Sequence, residues 1–161
     1  MVGGDAGRLR AIRLATLAAD AGSFGSSLAR ERELPEDWWA GWASASEDGA
    51  EQRTFVAVDG EGRWVGIALA RRDEEAPDGA VLNAMWVAPQ ARGQGVAGSL
   101  CDACARWAAA RGLRRLALSA VAGNASALRA YAAAGFVRVG VRERTVGDGR
   151  RLDEVLLARE L

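Results

Sequence analysis

The feature that most constrains this chain is a strand that runs into a glycine-rich turn, which then opens a helix. The strand is predicted over residues 80–87, the turn follows Pro89, and the helix is predicted over 95–110. The first amides of a helix have no partner within it, and the helix dipole makes that end positive. Glycines let an anion approach the bare backbone. The segment therefore predicts a binding site for an anion, above all a phosphate group.

The glycines of this turn also satisfy the G-x-G-x-x-G pattern of dinucleotide-binding proteins, through Gly93, Gly95 and Gly98. That class requires an acidic residue about 20 positions further on, at the end of the next strand. Here the next strand ends at Ser119 without an acid, and the turn lacks the Gly-Lys pair of a Walker loop. Taken alone, the glycine pattern is equally compatible with a tight strand–helix connection that binds nothing.

Two motifs resemble those of the GCN5-related N-acetyltransferases, the GNAT superfamily. Residues 92–97 match the signature R/Q-x-x-G-x-G/A, and residues 124–136 resemble the second motif, N-x-x-A-x-x-x-Y-x-x-x-G-F. The resemblance covers residues 53–136. It implies that the chain binds acetyl-CoA as a co-substrate and transfers its acetyl group to an amine.

The resemblance also assigns cofactor contacts residue by residue. Backbone amides of residues 92–98 would hold the CoA pyrophosphate, the strand end at 85–87 would pair with pantetheine, and Asn124 would hydrogen-bond the pantetheine arm. The cofactor-binding residues implied in this way are Met85, Trp86, Val87, Arg92, Gly93, Gln94, Gly95, Val96, Ala97, Gly98, Asn124, Ala127 and Tyr131.

Tyr131 is the only tyrosine of a chain that has no histidine. The lack of histidine excludes Ser-His-Asp and Cys-His relays and histidine metal ligands, so proton transfer must use carboxylates, Tyr, Cys, the backbone or water. Asn124, Leu128, Tyr131 and Gly135 share one stripe of a helix, where a core aromatic is the alternative reading of Tyr131. The resemblance implies that Tyr131 is the general acid that protonates the departing CoA thiolate. With no catalytic nucleophile in view, we expect direct transfer in a ternary complex.

The general base is less well defined by the sequence. The candidate carboxylates are Glu31 and Glu33 just before Pro35, Glu36 and Asp37 at the following helix start, and Glu74 and Glu75 in the connection between two strands. We select Glu31 and Glu33 as the catalytic candidates. Asn83 and Ser119, near the ends of two central strands, can instead position a water molecule that takes the proton.

The acceptor side is predicted to include an aromatic wall. Trp38 and Trp42 stand four residues apart on one helix face and therefore share that face, with core packing as the alternative. The resemblance places their helix beside the acceptor site. Acidic residues around the expected cleft favour a cationic amine. Together with Asn83 and Ser119, the two tryptophans form the predicted substrate-binding set.

The 161 residues suit a single domain, 1–161. Strands are predicted over residues 9–14, 55–58, 64–69, 80–87, 113–119, 136–146 and 151–161. Helices are predicted within 16–34, with a break near Gly22, from Pro35, over 95–110 and over 124–134. These elements predict an α/β (α+β) fold of the GNAT type, with a mixed, mostly antiparallel central sheet of six to seven strands flanked by about four helices.

The composition argues against several classes of binding partner. The formal net charge is zero, from 21 basic and 21 acidic residues, which removes the electrostatic case for a nucleic-acid or anionic-membrane partner. No apolar run approaches the ~20 residues needed to span a bilayer. Cys101 and Cys104 fall within a helical run and are predicted to be buried free thiols, so no metal is expected. Free thiols without a signal peptide favour the cytoplasm.

The predicted function is therefore acetylation of a primary amine of a small molecule. Acetylation of a protein N-terminus or side chain, and a non-catalytic acetyl-CoA-binding module, are the alternatives that the sequence leaves open. A homodimer through residues 136–161 is a further expectation, because edge strands readily pair.

Overall fold

The structure is a computed structural model that describes residues 5–147 and 149–161. These residues form six strands and five α-helices, together with short 3-10 turns at Ala21–Ser23 and Pro89–Ala91. In chain order the elements are α1 (Ala6–Ala19), α2 (Leu28–Arg32), α3 (Glu36–Asp48), β1 (Gln52–Val58), β2 (Trp64–Arg72), β3 (Gly79–Val87), α4 (Val96–Ala109), β4 (Arg115–Val121), α5 (Ala125–Ala133), β5 (Val137–Thr145) and β6 (Arg151–Glu160).

The six strands form one sheet in the order β1-β2-β3-β4-β6-β5. Every neighbouring pair is antiparallel except β3 and β4, which confirms the predicted mixed, mostly antiparallel sheet. The parallel pair is in register only over residues 79–81 and 115–117. Since β3 continues to Val87 beside β2 and β4 to Val121 beside β6, these two strands are not paired with each other beyond residues 81 and 117, and this interruption opens the middle of the sheet.

The prediction of a strand over residues 9–14 is wrong, because this segment lies inside α1. Its buried side chains include Leu9, Ile12, Thr16 and Leu17, which recur at helical spacing and pack toward α3 and β2. The local alternation of apolar residues and arginines matched a strand over six positions, whereas the helical stripe extends over three turns. The correction leaves six strands, and five helices in place of about four. The predicted break near Gly22 is confirmed by the end of α1 and the 3-10 turn that follows.

Helices cover both faces of the sheet. Ile67 of β2 belongs to a cluster with α1 and α3, while the next residue, Ala68, belongs to a second cluster with α4 and α5. Because successive strand residues point to opposite faces, the two clusters lie on opposite sides of the sheet. Cys101 and Cys104 are buried free thiols of the second cluster, as predicted. In the described part of the chain no helix is long and apolar enough to cross a membrane.

Candidate active site

A cleft of about 1640 Å³ opens where β3 and β4 separate. It is bordered by these two strands, the turn before α4, the start of α5, the α1–α2 connection and the first half of α3. All of the predicted site residues border this cleft except Gln94 and Glu33. The side chain of Gln94 instead donates to the carbonyl of Gln90, at 3.0 Å, and so supports the turn.

The glycine turn leaves open space in front of the first amides of α4. Gly93 and Gly95 have φ angles of +73° and +79°, and within the described residues no atom lies within 4 Å of the place where their Cβ atoms would stand. Such backbone favours glycine. Helix α4 has 14 residues and no acidic side chain in its first turn. Bare amides, a positive helix end and open space together suit an anion such as a pyrophosphate.

The side chain of Arg92 fixes this turn. Its Nε donates to the carbonyl of Val87 at 2.9 Å, and its Nη2 donates to Asp20 at 2.7 Å. The same Asp20 oxygen accepts from Trp86 Nε1 at 2.7 Å. Asp20 therefore ties the end of α1 to β3 and to the glycine turn. Sequence reasoning missed Asp20, because its partners stand 66 and 72 positions away.

A bulge interrupts β3 at the cleft. The register with β2 shifts between Ile67 and Leu69, and Ala84 has a φ of +52°. It is the one non-glycine residue with positive φ in the described ranges. Backbone of this kind costs about 1–3 kcal/mol and is found where a site requires it. Ala84 and Met85 have no register partner on β2, so this stretch of backbone is a candidate for hydrogen bonds to a bound group.

Tyr131 lies on α5 at the other wall of the cleft and is 8% exposed. Burial, followed by the nearby Cys101 and Cys104, raises the pKa of its hydroxyl above the usual value. Burial likewise raises the pKa of Cys101, to about 12. The phenol and both thiols are therefore neutral near pH 7, and Tyr131 can donate a proton but is not a base.

Asn124 caps the N-terminus of α5. Its Oδ1 accepts from the amide of Ala127 at 3.1 Å, and its Nδ2 donates to Ser23 Oγ at 3.2 Å. The second contact joins α5 to the turn after α1, across the cleft. Asn124 thus holds two walls of the cleft together, in addition to bordering it.

The two carboxylates selected as base candidates have different surroundings. Glu31 is buried and receives two hydrogen bonds from Arg13, at 2.8 and 2.7 Å, so both of its oxygens are engaged by a cation. Glu33 is exposed and does not border the cleft. Neither arrangement favours a group that takes a proton from an amine, and we do not retain either residue as the base.

The acceptor side has a polar floor and an aromatic wall. Asn83 on β3 and Ser119 on β4 border the cleft on the two strands that separate. Trp38 and Trp42 of α3 also border it, with their rings edge-to-face at 5.5 Å. Trp38 is 43% exposed, whereas Trp42 donates from Nε1 to Thr54 Oγ1 at 2.9 Å. The wall therefore combines one anchored indole with one free to contact a ligand.

Among the charged residues that border the cleft and that sequence reasoning did not select, three form a cluster on β5 and β6. Arg142 and Arg144 of β5 both donate to Glu154 of β6. Burial disfavours the charged form of Glu154, but hydrogen bonds from Arg144 and Arg142 outweigh it, so its pKa lies below the usual value. Only the register of β5 against β6 brings these side chains together, and the local sequence carries no signal for it. Within the described residues, no group of three or more His, Cys, Asp or Glu side chains is placed to hold a metal.

Comparisons with known proteins agree with this geometry. The model of the acetyltransferase (GNAT) family matches residues 14–136. A GNAT-family acetyltransferase from Streptococcus pneumoniae has a similar structure, with a TM-score of 0.82 and 21% identity over 100% of this chain and 96% of that one. A phosphinothricin acetyltransferase from Sinorhizobium meliloti, solved with acetyl-CoA, gives 0.80 and 22% over 100% and 85%. A ribosomal-protein-alanine N-acetyltransferase from Brucella melitensis gives 0.75 and 25% over 100% and 97%. No curated protein sequence matches significantly.

Proposed function

Because this chain belongs to the GNAT acetyltransferase family, we propose that it transfers the acetyl group of acetyl-CoA directly to a primary amine of a small molecule. Acetyl-CoA-dependent acyl transfer is the activity of the family. One observation supports a small-molecule acceptor: side chains enclose the acceptor side of the cleft. Trp38 and Trp42 border its acceptor side, and the α1–α2 connection with Ser23 and Phe24 borders it as well. A concave, partly apolar site of this kind suits a small ligand.

The glycine turn is the proposed site of the CoA pyrophosphate. Cβ atoms added at Gly93, Gly95 and Gly98 would meet open space at the positive end of α4, and Arg92 holds the turn in place through its bond to the Val87 carbonyl. The edge of β3 that is not paired with β4, from Ala84 to Val87, would offer its backbone to the pantetheine arm. Acetyl-CoA supplies an activated thioester, and the chain's own groups bind it, orient it and move protons.

Tyr131 is the proposed general acid. Its hydroxyl is neutral near pH 7 because burial raises its pKa, and it borders the cleft on the wall formed by α5. A proton donated from this oxygen to the departing sulfur neutralises the thiolate as the thioester bond breaks. A backbone amide at the β3 bulge, near Met85, would stabilise the negative charge that develops on the carbonyl oxygen.

A water molecule between Asn83 and Ser119 is the proposed acceptor of the amine proton. The two side chains stand on the strands that separate, and Asn83 Nδ2 is a buried donor that lacks a hydrogen-bond partner in the described structure. The pairing of Glu31 with Arg13 and the position of Glu33 outside the cleft support this choice over either of these two carboxylates.

An acceptor screen tests the proposed function. Purified protein is incubated with acetyl-CoA and a panel of small primary amines, amino acids and peptides with free N-termini. Release of CoA is followed by thiol titration, and products are identified by mass spectrometry. We expect an acetylated small amine. Acetylation of peptides alone would replace it with the protein-acetylating alternative, and acetyl-CoA binding without turnover on any acceptor would indicate a binding module.

The proposal includes a homodimer through β5. This strand is an edge of the sheet, and Val137, Val139 and Val141 are more than half exposed there. Edge strands with apolar side chains readily pair with another chain. Light scattering coupled to gel filtration tests this state, and a Val139→Lys variant should be monomeric if β5 forms the interface. A monomeric wild-type protein at micromolar concentration would exclude it.

A further inference from the structure

A buried carboxylate on β6 holds two arginines of β5 beside the cleft. Glu154 is 4% exposed and accepts from Arg142 Nε and from Arg144 Nη2, both at 2.7 Å, and from Arg144 Nε at 3.3 Å. Both oxygens of Glu154 are therefore used. The two guanidinium groups are held in place before a ligand arrives, and such preorganisation lowers the entropy cost of binding.

This cluster of Arg142, Arg144 and Glu154 carries a net positive charge. Two guanidinium groups surround one carboxylate, and the neighbouring cation, Arg13, is neutralised by Glu31 at 2.7 Å. The side chains of Arg142 and Arg144 are 49% and 39% exposed. Since a guanidinium has five N–H donors, each arginine keeps donors that Glu154 does not use. An anion in the cleft is the ligand that fits them.

The cluster lies close to the proposed position of the reacting amine. Ser119 of β4 pairs with Leu156 of β6. Two residues along the strands, on the same face of the sheet, Glu154 of β6 pairs with Val121 of β4 on one side and with Arg142 of β5 on the other. Arg142 Nη2 reaches Ser119 Oγ at 3.4 Å. Rungs two residues apart are separated by about 7 Å. A short amino acid spans this distance when its negative group lies on the arginines and its amine lies near Ser119.

The α1–α2 connection makes room for Arg144. A Cβ atom at Gly25 would stand 2.6 Å from Arg144 Nη2, so only glycine allows the guanidinium to lie there. Its neighbour Phe24 stacks under Arg13, with the guanidinium carbon 5.3 Å from the ring centre. Glu154 therefore holds the guanidinium of Arg144, and Gly25 leaves the space that this group occupies.

We propose that Arg142 and Arg144 bind a carboxylate of the acceptor, so that the preferred substrate is a small amino acid or another carboxylated amine. The planar N–H fork of arginine matches the two oxygens of a carboxylate. This inference rests on the proposed function, since it concerns the acceptor of the same reaction. It adds a carboxylate to the cationic amine expected from the sequence, and neither Glu31, which is paired with Arg13, nor Glu33, which lies outside the cleft, competes for the two arginines.

Matched sets of acceptors provide the test. Each set contains an amino acid, its carboxamide and the amine left by removal of the carboxyl group, so that the reacting chain stays the same. Steady-state kinetics at saturating acetyl-CoA give kcat/KM for each member. We expect the carboxylate to exceed the carboxamide by about 10- to 100-fold, the range of one charge-assisted hydrogen-bonded pair.

Variants assign the preference to the cluster. Arg142→Gln should reduce the preference for carboxylate over carboxamide about tenfold, and Arg144→Lys, which keeps the charge but loses the fork, should reduce it in part. The KM for acetyl-CoA should not change. Arg138→Gln is the matched control, because Arg138 is an exposed residue of the same strand that does not border the cleft. Melting temperatures identify any variant that fails to fold.

Equal kcat/KM for carboxylates and carboxamides, or a preference that survives both substitutions in folded protein, would overturn the inference. Calorimetric binding of the same acceptors in the presence of CoA separates it from the proposed function. Carboxylate binding that Arg142→Gln abolishes, without turnover of any amine, would keep the arginine site and reject the enzymatic proposal. Absence of both binding and turnover would reject both.

Discussion

Tyr131 packs edge-on against Phe136, with the ring centroids 5.9 Å apart and the planes inclined by 69°. Phe136 is 3% exposed and lies three residues after the end of α5. Edge-to-face pairs of this kind favour one orientation of each ring. The contact holds the aromatic ring of Tyr131 in the core, and Tyr131 still borders the cleft. The packing around the ring therefore determines both the position of Tyr131 and the neutral state of its hydroxyl.

Substitution Tyr131→Phe keeps the aromatic pair and removes only the hydroxyl. If the hydroxyl is the general acid, kcat should fall by about 10²-fold or more, while the KM for acetyl-CoA and the melting temperature change little. In the wild type, kcat should show no loss from Tyr131 ionisation up to its ordinary pKa of about 10, because burial moves that pKa upward. Steady-state and single-turnover kinetics measure these quantities. An unchanged single-turnover rate would remove Tyr131 from the chemistry.

The glycine turn allows a matched pair of substitutions. Gly95 and Gly62 have similar φ angles, +79° and +77°, and an added Cβ meets no described atom at either position. Alanine at each site should therefore cost the same backbone strain, about 1–2 kcal/mol. Only Gly95→Ala adds a methyl group in the cleft, where we expect the Kd for acetyl-CoA to rise about tenfold or more. Calorimetry measures Kd, and equal affinities in the two variants would argue against a pyrophosphate site at this turn.

The part of the cleft that we propose for the cofactor was predictable because its sequence signals are local. A strand end, a turn with glycines at positive φ and a helix start follow one another within 20 residues, and each has its own sequence rule. The same holds for the stripe that carries Asn124 and Tyr131 on α5. The wrong strand over residues 9–14 arose because six residues of alternation also fit one side of an arginine-rich helix.

The acceptor half depends on contacts that no local rule describes. Glu154 meets Arg142 and Arg144 through the register of a hairpin that contains a bulge, and Asp20 meets Arg92 across 72 positions. The positive φ of Ala84 contradicts the preference of alanine itself, so the surrounding sheet imposes it. Tertiary geometry decides all three features, and this is why sequence reasoning selected neither the Glu154 cluster nor Asp20.

Substitutions of two neighbouring tryptophans of α3 should affect acceptor binding and protein stability differently. Trp38 is 43% exposed and borders the cleft, whereas its neighbour Trp39 is 2% exposed and lies in the core. We expect Trp38→Ala to raise the KM for the acceptor several-fold with a stability cost of about 1 kcal/mol, since it loses edge-to-face contacts only. Trp39→Ala should cost about 3–5 kcal/mol, as other large core truncations do. Denaturant unfolding and acceptor kinetics test the pair. The reverse pattern would place the acceptor elsewhere.

The ion cluster at Glu154 should make stability depend on pH. Hydrogen bonds from Arg144 and Arg142 outweigh burial and lower the pKa of Glu154 in the folded state. The unfolded chain therefore binds a proton at higher pH than the folded chain does. The stabilisation is present above the unfolded pKa of about 4.5 and is lost as pH falls through the lower folded value.

Substitution Glu154→Gln should lower stability at pH 7 by about 1–3 kcal/mol, a range reduced because both arginines are partly exposed. Its melting temperature should then fall less than that of the wild type between pH 5 and about 3. Glu143→Gln is the control on the neighbouring strand, because Glu143 pairs with Arg151 at an exposed site and such pairs contribute little. Melting curves across this pH range provide the measurement. Parallel pH profiles for the wild type and Glu154→Gln would show that the two arginines do not stabilise the charged carboxylate.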